Sequence, residues 1–336
     1  MHPSKKKDCF YHHCYHSELL RVKASIENMN SLPKALREKM RLRKESREAE
    51  SNGTSRTASS NSLLDVKKLL SGDEEWPEPP DFPLSSSPCA SCGNDCSYDL
   101  YPESRKGRID TTSKLAGSVK PYINHVIIAT AKLDWPKEVT NETNSFAHSL
   151  KEEIDKHKLA SKKRTIVANS NYPPKKIGSE KTRLIALPAW KIIDDITNED
   201  ARDVSDFLYD KKEMGIDATW ESIVLVCSHR TRDKRCGITA PYLMKAFEAE
   251  LREHDLYRSH DDSTPGGVLL ITTSHIGGHK FAGNVIVYRK TKEGEVQGIW
   301  LGRVEPFHVP QIVSDTIIKG QVWKELLRGG IRVRDW

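Results

Sequence analysis

No stretch of the chain approaches the ~18–20 consecutive apolar residues needed to cross a bilayer, so the sequence offers no membrane span. No apolar segment follows the basic start, and a secretory signal is not expected. Apolar residues make up 37% of the 336, short of the ~45–50% usual for a globular chain, which points to a part without a core. The paired carboxylates of glycoside hydrolysis are missing too, the acids being scattered over helix-like segments. Even the positive charge is local. Residues 1–72 hold 15 Lys/Arg against 8 Asp/Glu, and the other 264 residues hold 38 against 39. The net charge of +6 therefore belongs to the N-terminal segment, and the rest has little electrostatic means of binding nucleic acid.

What is present divides into three parts. Residues 1–78 read as a disordered basic tail, polar and aperiodic through SREAESNGTSRTASSNS. Its Glu residues count against a mitochondrial presequence, which is acid-poor, so cytoplasm is the expected location and the mitochondrion the alternative. The Pro-rich WPEPPDFPLSSSP marks a boundary. Residues 79–215 alternate strand and helix patterns, an α/β lobe: YINHVIIAT, RTIVANS and TRLIALPAW as strands, NSFAHSLKEEIDKHKL and NEDARDVSDFLYDKK as helices. The pattern restarts over 216–336: strand SIVLVC, a helix from Pro241 to Glu253, strand GGVLLITT, a hairpin of NVIVYRK and GIWLGRV, then helical VPQIVSDTIIKG and VWKELL. Strand, helix, strand, hairpin, helix is the thioredoxin-like order. HVIIAT and SIVLVC read as the first strands of two related lobes.

The chemistry concentrates in the second lobe. Cys227 ends SIVLVC, and Cys236 follows after eight residues in CSHRTRDKRCG. His275 follows a later strand, and His279 closes HIGGH. Ends of neighbouring parallel strands gather at one sheet edge, where sites form, so two Cys and two His can meet there. Seven cysteines, an odd number, in a chain without a secretory signal fit metal or redox use better than structural disulfides. Zinc accepts such a set, but finger spacings are about two to four residues between cysteines and about twelve before the histidines, against eight and thirty-eight here. Cys227-Ser-His229 looks like half of a Rieske centre, but no His follows Cys236 closely, so His229 is expected outside the ligand set. A [2Fe–2S] cluster with thiolates on one iron and imidazoles on the other uses all four residues, and replacing two Cys by His raises the potential. Gly277 and Gly278 would then let the chain turn tightly around the group.

CSHRTRDKRCGITAPYL, SHIGGHKFAGNVIVY and IWLGRV together resemble the sucrase/ferredoxin-like family of thioredoxin-like ferredoxins, most specifically over about residues 219–320. The resemblance implies a bis-histidinyl [2Fe–2S] protein with Cys227 and Cys236 as thiolate ligands and His275 and His279 as imidazole ligands. Charge arithmetic then predicts proton-coupled one-electron transfer to or from an unknown redox partner protein: such a cluster is neutral when oxidised and gains one negative charge on reduction, a buried charge that an imidazole offsets by taking up a proton. Arg230, Arg232, Lys234, Arg235 and Lys280 are expected either to steer an acidic partner or to form ordinary surface ion pairs. Cys89, Cys92 and Cys96 form a second cluster of thiols, and Cys92 and Cys96 offer an alternative function as a thiol-dependent redox quality-control oxidoreductase. A zinc-stabilised interaction module is the further alternative. The ending RVRDW is similar to the acidic-aromatic signal, here Asp335 and Trp336, by which some proteins dock onto the cytosolic iron–sulfur assembly targeting complex, although Arg334 departs from the usual aliphatic residue.

Overall fold

The computed structural model describes residues 80–85, 109–334 and 336. The expectations for the tail, for Cys89, Cys92 and Cys96, and for Asp335 lie outside these residues. The fold is mixed α/β. Its strands are β1 (Asn124–Ala129), β2 (Thr165–Ser170), β3 (Thr182–Leu187), β4 (Lys191–Ile196), β5 (Ile216–Asp217), β6 (Ser222–Cys227), β7 (Tyr257–Arg258), β8 (Val268–Thr273), β9 (Val285–Lys290), β10 (Val296–Leu301) and β11 (Leu327–Val333). Helices α1 (Phe146–Lys156), α2 (Ala201–Asp210) and α3 (Lys234–Glu253) are joined by a short helical turn at Val309–Gln311 that continues as a π-helix over Ile312–Lys319. Among the described residues, no helix is long and apolar enough to cross a membrane.

The strands form one sheet in the order β11-β10-β9-β6-β8-β2-β1-β3-β4-β5, with β7 beside β8. The same pairing occurs twice. β1 runs parallel to β2 and antiparallel to β3, which pairs antiparallel with β4. β6 runs parallel to β8 and antiparallel to β9, which pairs antiparallel with β10. Each half is thus strand, helix, strand, hairpin and helix. They meet where β2 and β8 cross at one antiparallel pair, Ser170 and Thr273. Ser274 reinforces the join, its N–H donating to Asn169 O at 2.7 Å and its Oγ accepting from Asn169 N at 3.0 Å.

Side chains alternate across a strand, and that alternation divides the core in three. Val126 and Ile128 of β1 pack with Leu150 of α1 and Val204 and Phe207 of α2. Val224 and Val226 of β6 pack with Leu243, Phe247 and Leu251 of α3 and with Ile312 and Val313. The opposite faces share one core: Ile127 and Ala129 from β1, Ile223, Leu225 and Cys227 from β6, and the aromatic side chains of Tyr122, Tyr172, Trp190, Trp220, Tyr288 and Trp300. Within it Trp300 Nε1 donates to Tyr122 Oη at 2.7 Å, Tyr122 Oη lies 2.7 Å from Tyr288 Oη, and Tyr288 Oη lies 3.0 Å from His125 Nδ1. Only one direction gives each hydroxyl proton an acceptor, running from Trp300 through Tyr122 and Tyr288 to Nδ1. His125 is therefore neutral, with its proton on a buried, unpartnered Nε2, and burial pulls its pKa down to about 3.

Three elements differ from the sequence reading. The helix expected from Pro241 begins at Lys234, because Asp233 accepts from Arg235 N–H at 2.9 Å as an N-cap and Cys236, Ala240, Leu243, Phe247 and Leu251 make one buried stripe. That packing outweighs the ~3 kcal/mol penalty of an internal proline. VWKELL is not a helix. Val322 N–H donates to Pro83 O at 2.7 Å and Val322 O accepts from Ser85 N–H at 3.0 Å, so the segment is held by a chain segment some 240 positions away. The chain then enters β11, paired along β10 and hidden from periodicity by Gly329 and Gly330.

Candidate metal centre

β6 and β8 lie parallel in a register that sets Cys227 beside Thr273. Cys227 is the last residue of β6, and His275 is the second residue after β8. The chain leaving β6 turns through Ser228–Asp233 and enters α3, whose first turn carries Cys236. Gly237 fits this return, since a Cβ there would collide with Arg230. Both cysteines are free and 1% exposed. Cys236 hydrogen-bonds Cys227 and pulls that thiol well below its usual range; burial opposes the shift, and His275 adds to it. Cys236 is pushed up, by Cys227 first and by burial second.

The two imidazoles face each other, ring centroids 5.2 Å apart. Gly277 (φ +89°) and Gly278 (φ +69°) are left-handed, so the segment is a loop and not a helix carrying an i, i+4 pair. Nδ1 of His275 and Nδ1 of His279 are both buried without a hydrogen-bond partner. A buried nitrogen left unpaired costs about 1–3 kcal/mol, and these two sit in one loop with both lone pairs open to a ligand. Nε2 of His279 instead lies 3.9 Å from Asp233 Oδ2, on a side chain 41% exposed. Burial pulls the His279 pKa below its ordinary value, with Asp233 opposing.

His229 is not a ligand. It is buried, its Nδ1 accepts from His275 N–H at 3.1 Å, and its other nitrogen lies 2.8 Å from Trp135 O. These partners fix the tautomer with the proton on Nε2, occupy both nitrogens, and tie the His275 backbone to the Trp135 segment. The cations divide. Arg232 pairs with Glu138, Arg235 with Asp233 at 2.8 Å, and Lys280 with Asp110 at 3.2 Å. Arg230 and Lys234 are exposed and make no ion pair among the described residues. A cleft of about 810 Å³ opens here, lined by Asp134 and by residues 230–235.

The sequence reading missed three side chains behind the His loop. Arg328 of β11 is 1% exposed and donates to Gly277 O at 3.2 Å and Asn284 Oδ1 at 2.9 Å, and to Ser118 Oγ at 3.1 Å and Ser118 O at 3.0 Å. Asn284 Nδ2 in turn donates to Gly278 O at 3.0 Å. A lone Arg in the run LLRGGIRV was the only signal available. Trp336, expected as half of a docking signal, is packed against the first half, its ring 5.0 Å from Phe207 and its Nε1 donating to Asn124 Oδ1 at 3.1 Å.

Residues 115–329 match the family described as sucrase/ferredoxin-like. The chain belongs to that family. A relative, actin patches distal protein 1 of Saccharomyces cerevisiae, is 32% identical over 256 residues, covering 68% of this chain and 80% of its own. Altered inheritance of mitochondria protein 32 of Debaryomyces hansenii is 31% identical over 258 residues, covering 66% and 88%. Among solved structures, a thioredoxin-like [2Fe–2S] ferredoxin from Aquifex aeolicus aligns with 34% of this chain and 96% of its own, at 17% identity and a TM-score of 0.24.

Proposed function

We propose that this family member is a one-electron redox protein that holds a [2Fe–2S] cluster on Cys227, Cys236, His275 and His279. The observation that carries the reading is the donor set: two buried free thiols, and two neighbouring imidazoles whose buried Nδ1 atoms have no partner. Two Cys and two His would also suit zinc. A tetrahedral ion with bonds of ~2.0–2.3 Å would draw all four donor atoms within about 4 Å of one another. Among the described residues, the one group of three or more such donors within 4.8 Å is His157, Asp206 and Asp210. No three of these four qualify, which favours a ligand with two metal positions.

When bound, the cluster supplies a one-electron couple that is neutral when oxidised, with two thiolates and two neutral imidazoles, and carries one negative charge when reduced. The chain's part is to offset that charge. An imidazole bound through Nδ1 keeps Nε2 free to hold a proton. On His279 that atom is within reach of water and faces the Asp233 carboxylate. Raising the pH removes this proton, so the potential falls as pH rises. Arg230 and Lys234, exposed at the cleft beside this edge, give an acidic redox partner a place to dock. The proposed location is the cytoplasm.

Anaerobically purified protein should carry two iron and two sulfide per chain and absorb visible light, and His275→Cys and His279→Cys should keep the cluster with altered spectra. A colourless, zinc-loaded protein would overturn the reading. A potential unchanged between about pH 5 and 9 would overturn the proton coupling alone.

A further inference from the structure

Among the described residues, Arg328 is a buried cation without a paired anion. Its four acceptors, Ser118 Oγ, Ser118 O, Gly277 O and Asn284 Oδ1, are all neutral, and no carboxylate pairs with it among the described residues. Its guanidinium carbon lies 5.6 Å from the ring centre of Phe281 and 5.9 Å from that of Trp300, contacts that soften the cost of burying charge without cancelling it. A buried charge that stays unpaired costs several kcal/mol. Burial lowers its pKa to about 10, so it remains charged at neutral pH, and Cys227 and Cys236 pull in the other direction. The geometry beside that shift is the loop itself: the guanidinium holds Gly277 O, between His275 and His279.

We infer that Arg328 is the fixed counter-charge of the centre and the clamp of its histidine loop, a positioning residue that favours the more negative, reduced state. This rests on the cluster reading above. The clamp follows from the contacts. Arg328 holds Gly277 O directly and, through Asn284, Gly278 O. A Cβ on Gly278 would run into the guanidinium, so the loop is seated against the charge with no side chain between. The second glycine of HIGGH serves the arginine behind it as well as the turn.

The charge makes a prediction that the clamp alone does not. Arg328→Gln keeps donors but loses charge, and Arg328→Lys keeps charge. In loaded protein, Arg328→Gln should make reduction at least tenfold less favourable, a fall of about 59 mV for one electron, while Arg328→Lys should stay near wild type. Asn284→Asp is a second route that leaves Arg328 in place: its carboxylate would neutralise the guanidinium at the existing 2.9 Å contact, and the potential should fall likewise. A readout free of redox chemistry is the gain in thermal midpoint on loading, apo against loaded, which should shrink in Arg328→Gln. Unchanged potentials in Arg328→Gln and in Asn284→Asp, with iron and sulfide at the wild-type level, would overturn the inference and leave the cluster reading standing. Wild-type protein without iron and sulfide would overturn both.

Discussion

Replacing Gly278 by Ala tests the seating of the histidine loop, with Gly277→Ala as its control. Both glycines are left-handed, and an L-residue there costs roughly 1–2 kcal/mol. Both changes also remove unfolded-state freedom, worth ~0.4–1 kcal/mol in the opposite direction. These contributions nearly cancel between the two variants. The difference lies in space. A Cβ on Gly277 meets nothing within 4 Å, whereas one on Gly278 collides with the buried Arg328 guanidinium. Overpacking a tight site costs about 1–3 kcal/mol, so Gly278→Ala should be the less stable variant by that amount. Urea unfolding of the apo protein, followed by circular dichroism, gives the comparison through the midpoint at constant slope. Adding Arg328→Met should remove most of the excess, because the two sites share the clash. Equal losses from Gly277→Ala and Gly278→Ala would refute the seating of the loop on Arg328.

Buried polar groups set three further outcomes. His125, at about 3, and His308, at about 4, are both lowered by burial from 6.5. Between those values and pH 6.5 the unfolded chain binds more protons than the folded one, so stability is full above about pH 7 and drops on acidification, by about 1.4 kcal/mol per pH unit for each histidine; imidazole proton shifts that move at ordinary pH would contradict this. Tyr288→Phe leaves the Tyr122 hydroxyl without an acceptor and His125 Nδ1 without a donor, costing about 2–6 kcal/mol at 1–3 per group; a loss under about 0.5 kcal/mol in chemical denaturation would show that the hydrogen-bond chain is misassigned. Trp336→Ala should lower the thermal midpoint by about 2–8 °C, from about 1–2 kcal/mol lost with the Phe207 contact and the Asn124 bond, and an unchanged midpoint would mean that the indole is not docked.

The legible parts of this fold are those whose signal is local. β6 and β8 announce themselves as β-branched runs, SIVLVC and VLLITT, and Cys227 ends the first while His275 follows the second by two residues. The first turns of α3 were hidden because Pro241 reads as a helix start, while the features that contradict a start there, the contact of Gly237 with Arg230 and the buried Cys236 stripe, are tertiary. β11 was illegible for the same reason. Gly330 lies where backbone approaches closely, against Gly298 O, and Gly329 adopts a positive φ, and a strand with two glycines carries little hydrophobic pattern. Arg328 was therefore assigned to no element, although its contacts give the histidine loop its shape.

The repeated pairing pattern explains why the proposed centre lies in one half of the fold and has no counterpart in the other. β1 and β6 are each six residues long and hold the same place in their halves, so Ala129 stands where Cys227 stands. β2 and β8 end at Ser170 and Thr273, which pair with each other across the join. The second residue after each is then Tyr172 in one half and His275 in the other. The first half thus has a methyl group in place of the thiol and a phenol in place of the imidazole. Tyr172 is buried in the shared aromatic core and accepts from Arg183 Nη1 at 3.2 Å, so the first half supplies packing where the second carries the proposed ligands. What remains of the first half's contribution to the centre reaches it through the backbone: Trp135 O holds His229, which holds the N–H of His275. The halves are coupled at the ligand loop itself, so a disturbance of the Trp135 segment would be felt at His275 without touching a donor atom.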